Sequence, residues 1–317
     1  MQYLWLRKSP HATRAPVALN LEPTNRCNLR CRFCSYEEGR PTGDMDWNFY
    51  ESTVDQAARI GVMSINHFLS GEPLLHPRIV DMVRYAAQRG LYTYMHTNAT
   101  LLTPDLSAAL IQAGLQAISF SFDGEDKAVY EANRVGARYE KTLDNILAFL
   151  HEKKRIGSHA PFTRIQLIRD QSQLGQERVE QGVDPEFRKL FHGLPLDGFY
   201  EIPPFNQRGE KSDLHLPERK QYFPCFHLWN GLAVTWNGKV AGCCADLNAR
   251  FLIGDLNTQS ILDVWHSKAM RSMRQMLIQE RYKEVPLCAE CSKLWIYDAE
   301  ELRLPGFLKA AFKNMIT

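Results

Sequence analysis

All eight cysteines of this 317-residue chain fall into two groups, and their types and spacing raise the first question of chemistry. Cys27, Cys31 and Cys34 stand together in TNRCNLRCRFC; Cys225, Cys243, Cys244, Cys288 and Cys291 form the second group, with none between. Clustering of this kind in a chain without a secretory signal argues for metal ligation, because a reducing compartment keeps thiols available as thiolates; disulfide pairing is the alternative. The first group has the spacing CxxxCxxC. Three thiolates from one short loop grip three corners of a cubic iron–sulfur cluster and leave the fourth iron open to a small molecule. Structural zinc needs a fourth ligand, and no histidine or further cysteine stands at zinc-finger distance. Arg26, Asn28, Arg30 and Arg32 interleave the thiols, which argues against simple apolar burial.

Such a loop has to be positioned by regular elements. A short β-branched or aromatic run followed by a helically spaced segment recurs along the chain, with strands expected at Val17–Glu22, Ser64–Ser70, Tyr92–Thr97, Ala117–Phe122, Thr163–Ile168 and Gly198–Ile202. The clearest helix is Thr103 to Ala113: Thr103 caps, Pro104 fills the first turn, Leu106, Ala109, Leu110 and Ala113 share a face, and Gly114 stops it. Strand–helix alternation implies parallel strands joined by right-handed crossovers. The expected fold class is α/β, a partial (βα)6 TIM-like barrel that does not close, followed by a small C-terminal β-hairpin plus helix. Active sites in such sheets gather at the carboxyl ends of the strands, where the cysteine loop falls.

The C-terminal third differs in texture. A polar stretch from Gln171 to Glu186 reads as loop plus exposed helix, and Asn206 to Pro217 as a linker. LAVTWNGKV reads as a hairpin whose Asn237-Gly238 pair supplies two positive-φ positions. One helix is expected from Ser260 to Gln279, with Ser260 and Asp263 as a capping pair. The divisions are thus a lead-in at 1–16, the barrel at 17–205, a linker at 206–224, a cysteine-bearing domain at 225–295 and a tail helix at 296–317. The formal net charge of +2 gives no electrostatic reason to expect nucleic acid or a membrane surface. No apolar stretch has spanning length, and the expected address is cytoplasmic.

The CxxxCxxC loop, with the aromatic Phe33 immediately before its last cysteine, resembles the radical S-adenosylmethionine (radical SAM) superfamily. There the open iron chelates the methionine moiety of S-adenosylmethionine (AdoMet), and one electron cleaves the sulfonium to a 5'-deoxyadenosyl radical that takes a substrate hydrogen. Three further segments are similar to the family's, in the same order. Ser70-Gly71-Glu72-Pro73 resembles its GGEP, which meets the methionine amino group; Thr97-Asn98 resembles its TNG, with Ala99 for glycine; Ser121 and Asp123 fall where it contacts ribose or methionine. Arg134 falls where related enzymes hold the methionine carboxylate. AdoMet presents a carboxylate, an ammonium and a diol, and Arg134, Glu72 and Asp123 are chemically suited to them.

The second cysteine group resembles the SPASM/twitch extension, with Cys225, Gly238 and Cys243 in its opening pattern and Cys288 and Cys291 closing the site. The resemblance implies one auxiliary 4Fe-4S cluster there, two clusters in all; a four-cysteine zinc site is the alternative. Cys244 is left over. Were it to face the AdoMet cavity, across the strand from Cys243, its thiol would return a hydrogen atom to a substrate radical and make the enzyme an epimerase; a structural thiol is the alternative. Related twitch enzymes include a dehydrogenase of an aminocyclitol alcohol, with the auxiliary cluster as electron acceptor. The resemblance therefore implies an oxidoreductase acting on a small polar, sugar or aminocyclitol-like substrate, with an electron donor such as flavodoxin or ferredoxin. The short segment before the first strand leaves no room for a peptide-leader domain, which favours the small substrate over ribosomal-peptide maturation. A non-catalytic metal-binding protein is the remaining reading, and Glu72, Asn98, Ser121 and Arg134 argue against it. Arg164, Gln166, Arg169 and Glu201, near the last barrel strands, are candidates to orient substrate.

Overall fold

The computed structural model describes residues 9–12, 14–37, 39–168, 182–202, 221–291 and 294–296. Along the chain run β1 (Ala18–Leu21), α1 (Trp47–Ile60), β2 (Ser64–His67), α2 (Ile79–Gln88), β3 (Tyr92–Thr97), α3 (Pro104–Gln112), β4 (Ala117–Ser121), α4 (Lys127–Asn133), α5 (Tyr139–Ile156), β5 (Phe162–Ile168), α6 (Pro185–Lys189) and β6 (Gly198–Ile202). Then follow β7 (Gln221–Tyr222), α7 (His227–Asn230), β8 (Gly231–Val234), β9 (Lys239–Ala241), β10 (Leu252–Asp255), α8 (Ile261–Trp265), α9 (Lys268–Ile278) and β11 (Trp295–Ile296). Strands β1 to β6 pair in sequence order and in parallel, as the alternation of elements predicts. The sheet is not closed: β6 forms one edge and β10 the other. Thr103 caps α3 with its side chain, and Pro104 occupies the first turn.

The hairpin of the C-terminal region continues this sheet. Strand β8 runs parallel to β1, with Asn20 opposite Ala233, and β9 and β10 add antiparallel beyond it. Its turn corrects the sequence expectation, since Gly238 has φ +82° but Asn237 is not among the positive-φ residues. Gly238 N donates to Thr235 O (2.9 Å) and Thr235 N to Lys239 O (2.8 Å). This is the longer loop, a type I turn closed by one left-handed residue, so only one glycine-like position is needed. A Cβ on Gly238 would also sit 2.4 Å from Asn257 Nδ2 and 3.0 Å from Phe49 Cε2. Gly238→Ala is therefore expected to cost about 1–2 kcal/mol, read as a lowered Tm.

The single C-terminal helix expected from Ser260 is two. Ser260 and Asp263 form a capping box that opens α8, but the Ser267 side chain accepts from Met270 N and starts α9 anew. A second capping serine competes with helical continuation, and here it wins. The expected tail helix beyond residue 296, the linker up to residue 220, and most of the Gln171–Glu186 stretch lie outside the described residues, as does Arg169; residues 221–222 of the expected linker form β7, and Ile296 ends β11.

Alternation along the strands sorts two faces. Leu19, Leu21, Ile65, Met95, Ile118, Phe120, Ile165 and Leu167 face the helices and are buried in one apolar core. His67 shares that face: Tyr50 Oη gives its hydrogen to Met82 O (2.7 Å), so it accepts from His67 Nε2 (2.8 Å). Burial pulls the His67 imidazole down to about 3 from its usual 6.5. Because the folded value lies below the unfolded one, the stability it carries is complete above pH 6.5 and is lost as pH falls towards 3. Acidifying from pH 6.5 to 5 is expected to cost about 1.5 kcal/mol through this residue. Buried Glu22 and Glu72, raised above 4.5, run the opposite way. The His67→Gln variant isolates the histidine: its Tm–pH slope should be shallower than the parent's.

The other face is polar and aromatic. Asn20, Asn66 and Tyr94 share one row of the register, and His96, Ser119 and Arg164 the next. Asn66 Nδ2 donates to Asn20 Oδ1 across the first two strands (2.7 Å).

Candidate active site

The cysteine loop leaves β1 and is strapped down on several sides. Thr24 bridges to Asp44, Thr24 Oγ1 donates to Gly43 O (2.8 Å), and Arg26 pairs with Asp44 at 2.7 Å. Arg30 N and Arg32 N donate to Val135 O and Asn133 O, each at 2.9 Å, tying the loop to the segment that carries Arg134. Glu72 N donates to Arg26 O (2.8 Å), joining it to the loop after β2. Phe33 is partly buried, with the Arg32 guanidinium 5.5 Å over its ring.

All eight thiols are free. Burial pushes Cys27 up to about 11, with Glu72, Cys31 and Cys34 adding to the rise, and burial likewise raises Cys34. Cys27 and Cys34 thus resist ionising, and a bound cationic cluster reverses that penalty. Arg134 Nη1 stands 3.5 Å from Cys31 Sγ, while its Nε is buried without a partner. A cysteine trio beside a guanidinium with an open donor fits a 4Fe-4S cluster that carries an anionic ligand.

The strand-end loops meet this trio. Gly71 lies against the cysteine loop, since a Cβ there would sit 2.1 Å from Thr24 O. Ser70 Oγ donates to Glu22 and accepts from Arg40. The buried Glu72 carboxylate accepts from Thr97 Oγ1 (2.6 Å), Asn98 N (2.7 Å) and Leu74 N (3.1 Å), yet burial still raises its pKa. Asn98 in turn donates to Asn28 Oδ1 (3.0 Å), back in the cysteine loop. Ala99 holds φ +60°, the conformation for which the glycine of TNG is suited. Ser121 ends β4 in register with Gln166. Asp123 pairs with Arg134 at 2.5 Å, and its Oδ1 accepts from Ile168 N (2.9 Å). The two groups assigned separately to AdoMet thus satisfy each other here.

In the second group, burial raises the Cys225 thiol, and Cys243, Cys291 and Cys288 reinforce the shift, so the four lie within electrostatic reach. Among the described residues, no three metal-binding side chains are packed tightly enough to grip a single ion. Strand β9 ends at Ala241, so the strand alternation expected to send Cys244 away from Cys243 does not reach them. A hydrogen bond in which the Cys243 thiol donates to Cys244 is the first cause of the raised Cys243 pKa, ahead of burial.

Comparison with known proteins agrees with this geometry. Residues 21–159 match the family model of the radical SAM superfamily, and residues 225–292 that of the SPASM iron–sulfur cluster-binding domain. The chain is a radical SAM protein with a C-terminal SPASM domain. It is 25% identical, over 86% of either chain, to the tungsten-containing aldehyde ferredoxin oxidoreductase cofactor-modifying protein of Pyrococcus furiosus. It is 39% identical to the PqqA peptide cyclase of Rhodopseudomonas palustris over 38% of this chain and 32% of that protein. Among solved structures, its fold is similar to BtrN in complex with AdoMet and 2-DOIA (TM-score 0.58, 19% identity, 87% and 92% of the two chains covered). It is also similar to anSMEcpe with bound AdoMet (TM-score 0.63, 14% identity, 95% and 98% covered).

Two residues that sequence reasoning passed over join the radical SAM domain to the SPASM domain. Glu22, read as the last residue of a strand, accepts from Ser70 N (3.2 Å) and from Trp236 N (3.1 Å) in the hairpin turn. Arg40 donates to Leu247 O, to Asn248 Oδ1 (3.0 Å) and to Asn25 O (3.1 Å), so one side chain bridges the loops that follow Cys34 and Cys244. A carboxylate ending the strand ALNLE was the one signal for Glu22; Arg40 had none. Of the substrate candidates, Arg164 is buried on the inner face and Gln166 lies opposite Tyr200, whereas Glu201 pairs with Leu167 on the outer row and is exposed.

Proposed function

We propose that the chain takes a hydrogen atom from an unactivated C–H of a small polar, sugar- or aminocyclitol-like substrate and oxidises it. The observation that carries this reading is the polar inner face of an unclosed barrel, opening beneath the loops that gather around Cys27, Cys31 and Cys34. When bound, the cluster and AdoMet supply a 5'-deoxyadenosyl radical. Arg134 places a cation beside Cys31, where the AdoMet carboxylate would lie. Glu72 fixes the ends of β2 and β3 relative to one another, and Gly71 lets that loop lie against the cysteine loop. Loss of a hydrogen atom, then of a proton and an electron, completes a two-electron oxidation. Cys225, Cys243, Cys288 and Cys291 would hold the second cluster, whose chemistry there is electron acceptance, and a low-potential flavoprotein or ferredoxin would reload the first.

Anaerobically reconstituted protein should hold about eight irons and eight sulfides, two cubanes per chain, and form 5'-deoxyadenosine with AdoMet and dithionite. Cluster-replete protein that forms none refutes the reading, and four irons plus zinc would reassign the second site. Peptide modification is a second reading, favoured by the likeness to PqqA peptide cyclase. Epimerisation with Cys244 as hydrogen donor requires its thiol to leave Cys243 and reach substrate; a Cys244→Ala variant that still inverts a substrate excludes that role for Cys244.

A further inference from the structure

The inner face of β3 carries a directed hydrogen-bond relay. Arg164 has only donors. Its Nη2 donates to Tyr94 Oη (2.6 Å) and its Nε to Ser119 Oγ (3.2 Å). Ser119 lowers the Tyr94 pKa, the effect of a hydroxyl hydrogen turned to the Tyr94 oxygen. The Tyr94 oxygen then holds two donors, and its hydrogen is left for His96 Nε2. A neutral imidazole whose Nε2 accepts carries its proton on Nδ1.

The imidazole is neutral, because burial and the nearby guanidiniums of Arg164 and Arg134 pull it down to about 3. The rings of Phe68 and Tyr94 stand edge-on at 4.5 and 4.8 Å and fix its plane. His96 Nδ1 makes no hydrogen bond among the described residues, and it is not among the buried polar atoms left without a partner. It is therefore a donor reaching the lumen. His96 also lies near the end of β3, two residues ahead of Asn98 in the loop that follows, within the field of the arginine that touches Cys31.

We propose that His96 Nδ1–H is the donor that holds substrate in the lumen, and that the group it holds is an acceptor oxygen such as a carbonyl, carboxylate or phosphate. The assignment rests on the radical SAM reading of the site and narrows its substrate class. A donor polarised by Arg164 through Tyr94 strengthens with negative charge on its acceptor and repels an ammonium group. An aminocyclitol would on this account be gripped by its oxygens, with its nitrogen elsewhere.

The test is nitrogen NMR of oxidised, cluster-replete protein labelled at histidine, with the His96 signals assigned by their loss in His96→Gln. Wild type should show a protonated Nδ1 and an unprotonated Nε2; Tyr94→Phe, lacking the donor to Nε2, should move the proton towards Nε2. Acetate should shift the wild-type Nδ1 signal and methylammonium should not. A wild-type imidazole protonated at Nε2, or an Nδ1 signal indifferent to acetate, overturns the proposal. Neither result depends on 5'-deoxyadenosine formation, which reports separately on the radical reading.

Discussion

Gly71→Ala is expected to reduce 5'-deoxyadenosine formation on the order of 10²-fold, the scale of loss that a displacement of about 1 Å at reacting groups produces. The new methyl carbon would lie 2.1 Å from Thr24 O, 2.7 Å from Arg26 O and 2.9 Å from Asn25 Cα. Every one of these atoms is backbone, so no side chain can swing aside. Nor is φ the difficulty, for Gly71 is not among the positive-φ glycines. The strain is relieved only if the loop after β2 and the cysteine loop separate, which breaks the Glu72 N to Arg26 O bond and carries Glu72 off Thr97 and Asn98. Overpacking of this kind costs about 1–3 kcal/mol, so the fold should survive with a lowered Tm while the chemistry does not. Iron content, Tm and 5'-deoxyadenosine yield are the three measurements. A variant with full iron and an undiminished yield would show that the two loops need not touch. Gly198 is the steric control: a Cβ there would meet no atom within 4 Å, and its alanine variant should keep the parental Tm.

How much of this was legible in the sequence follows from the range of the interactions concerned. Local rules sufficed where an element is decided by its own residues. Thr103-Pro104 at the start of α3 and the strands Tyr92–Thr97 and Gly198–Ile202 sit where their patterns put them. Cys27, Cys31 and Cys34 were readable because metal ligation imposes spacing directly on the chain. Competing local signals misled: Ser267 splits a helix whose apolar spacing continues across it, and Asn237-Gly238 matches a tighter turn than the one formed. What sequence could not reveal is long-range. Glu22 meets Trp236 and Arg40 meets Asn248 only because β8 docks on β1, and nothing within either segment announces that pairing. His96 and Tyr94 were hidden differently. Alternation in YTYMHT puts them on one face, but a parallel strand packed by helices is ordinarily apolar on both faces, so the polar row makes sense only once the lumen is seen.

The Arg134–Asp123 pair lets stability and chemistry be separated. Its partners are 11% and 1% exposed and 2.5 Å apart, so each charge depends on the other. Arg134→Met leaves a buried carboxylate whose Oδ1 still accepts from Ile168 N but whose Oδ2 has lost its cation, and should cost about 3–5 kcal/mol. Removing both charges in Arg134→Met/Asp123→Leu eliminates the stranded ion, and the double variant should be more stable than the Arg134→Met single. Chemistry should not follow stability. The guanidinium beside Cys31 is absent from both variants, so 5'-deoxyadenosine formation should stay low in the double even as its Tm recovers. Were activity to return with stability, Arg134 would be a structural ion and the AdoMet carboxylate would have to be held elsewhere. Were the single variant as stable as the parent, the pair would be open to water, and the cation beside the cysteine trio would lose the desolvation that gives it strength.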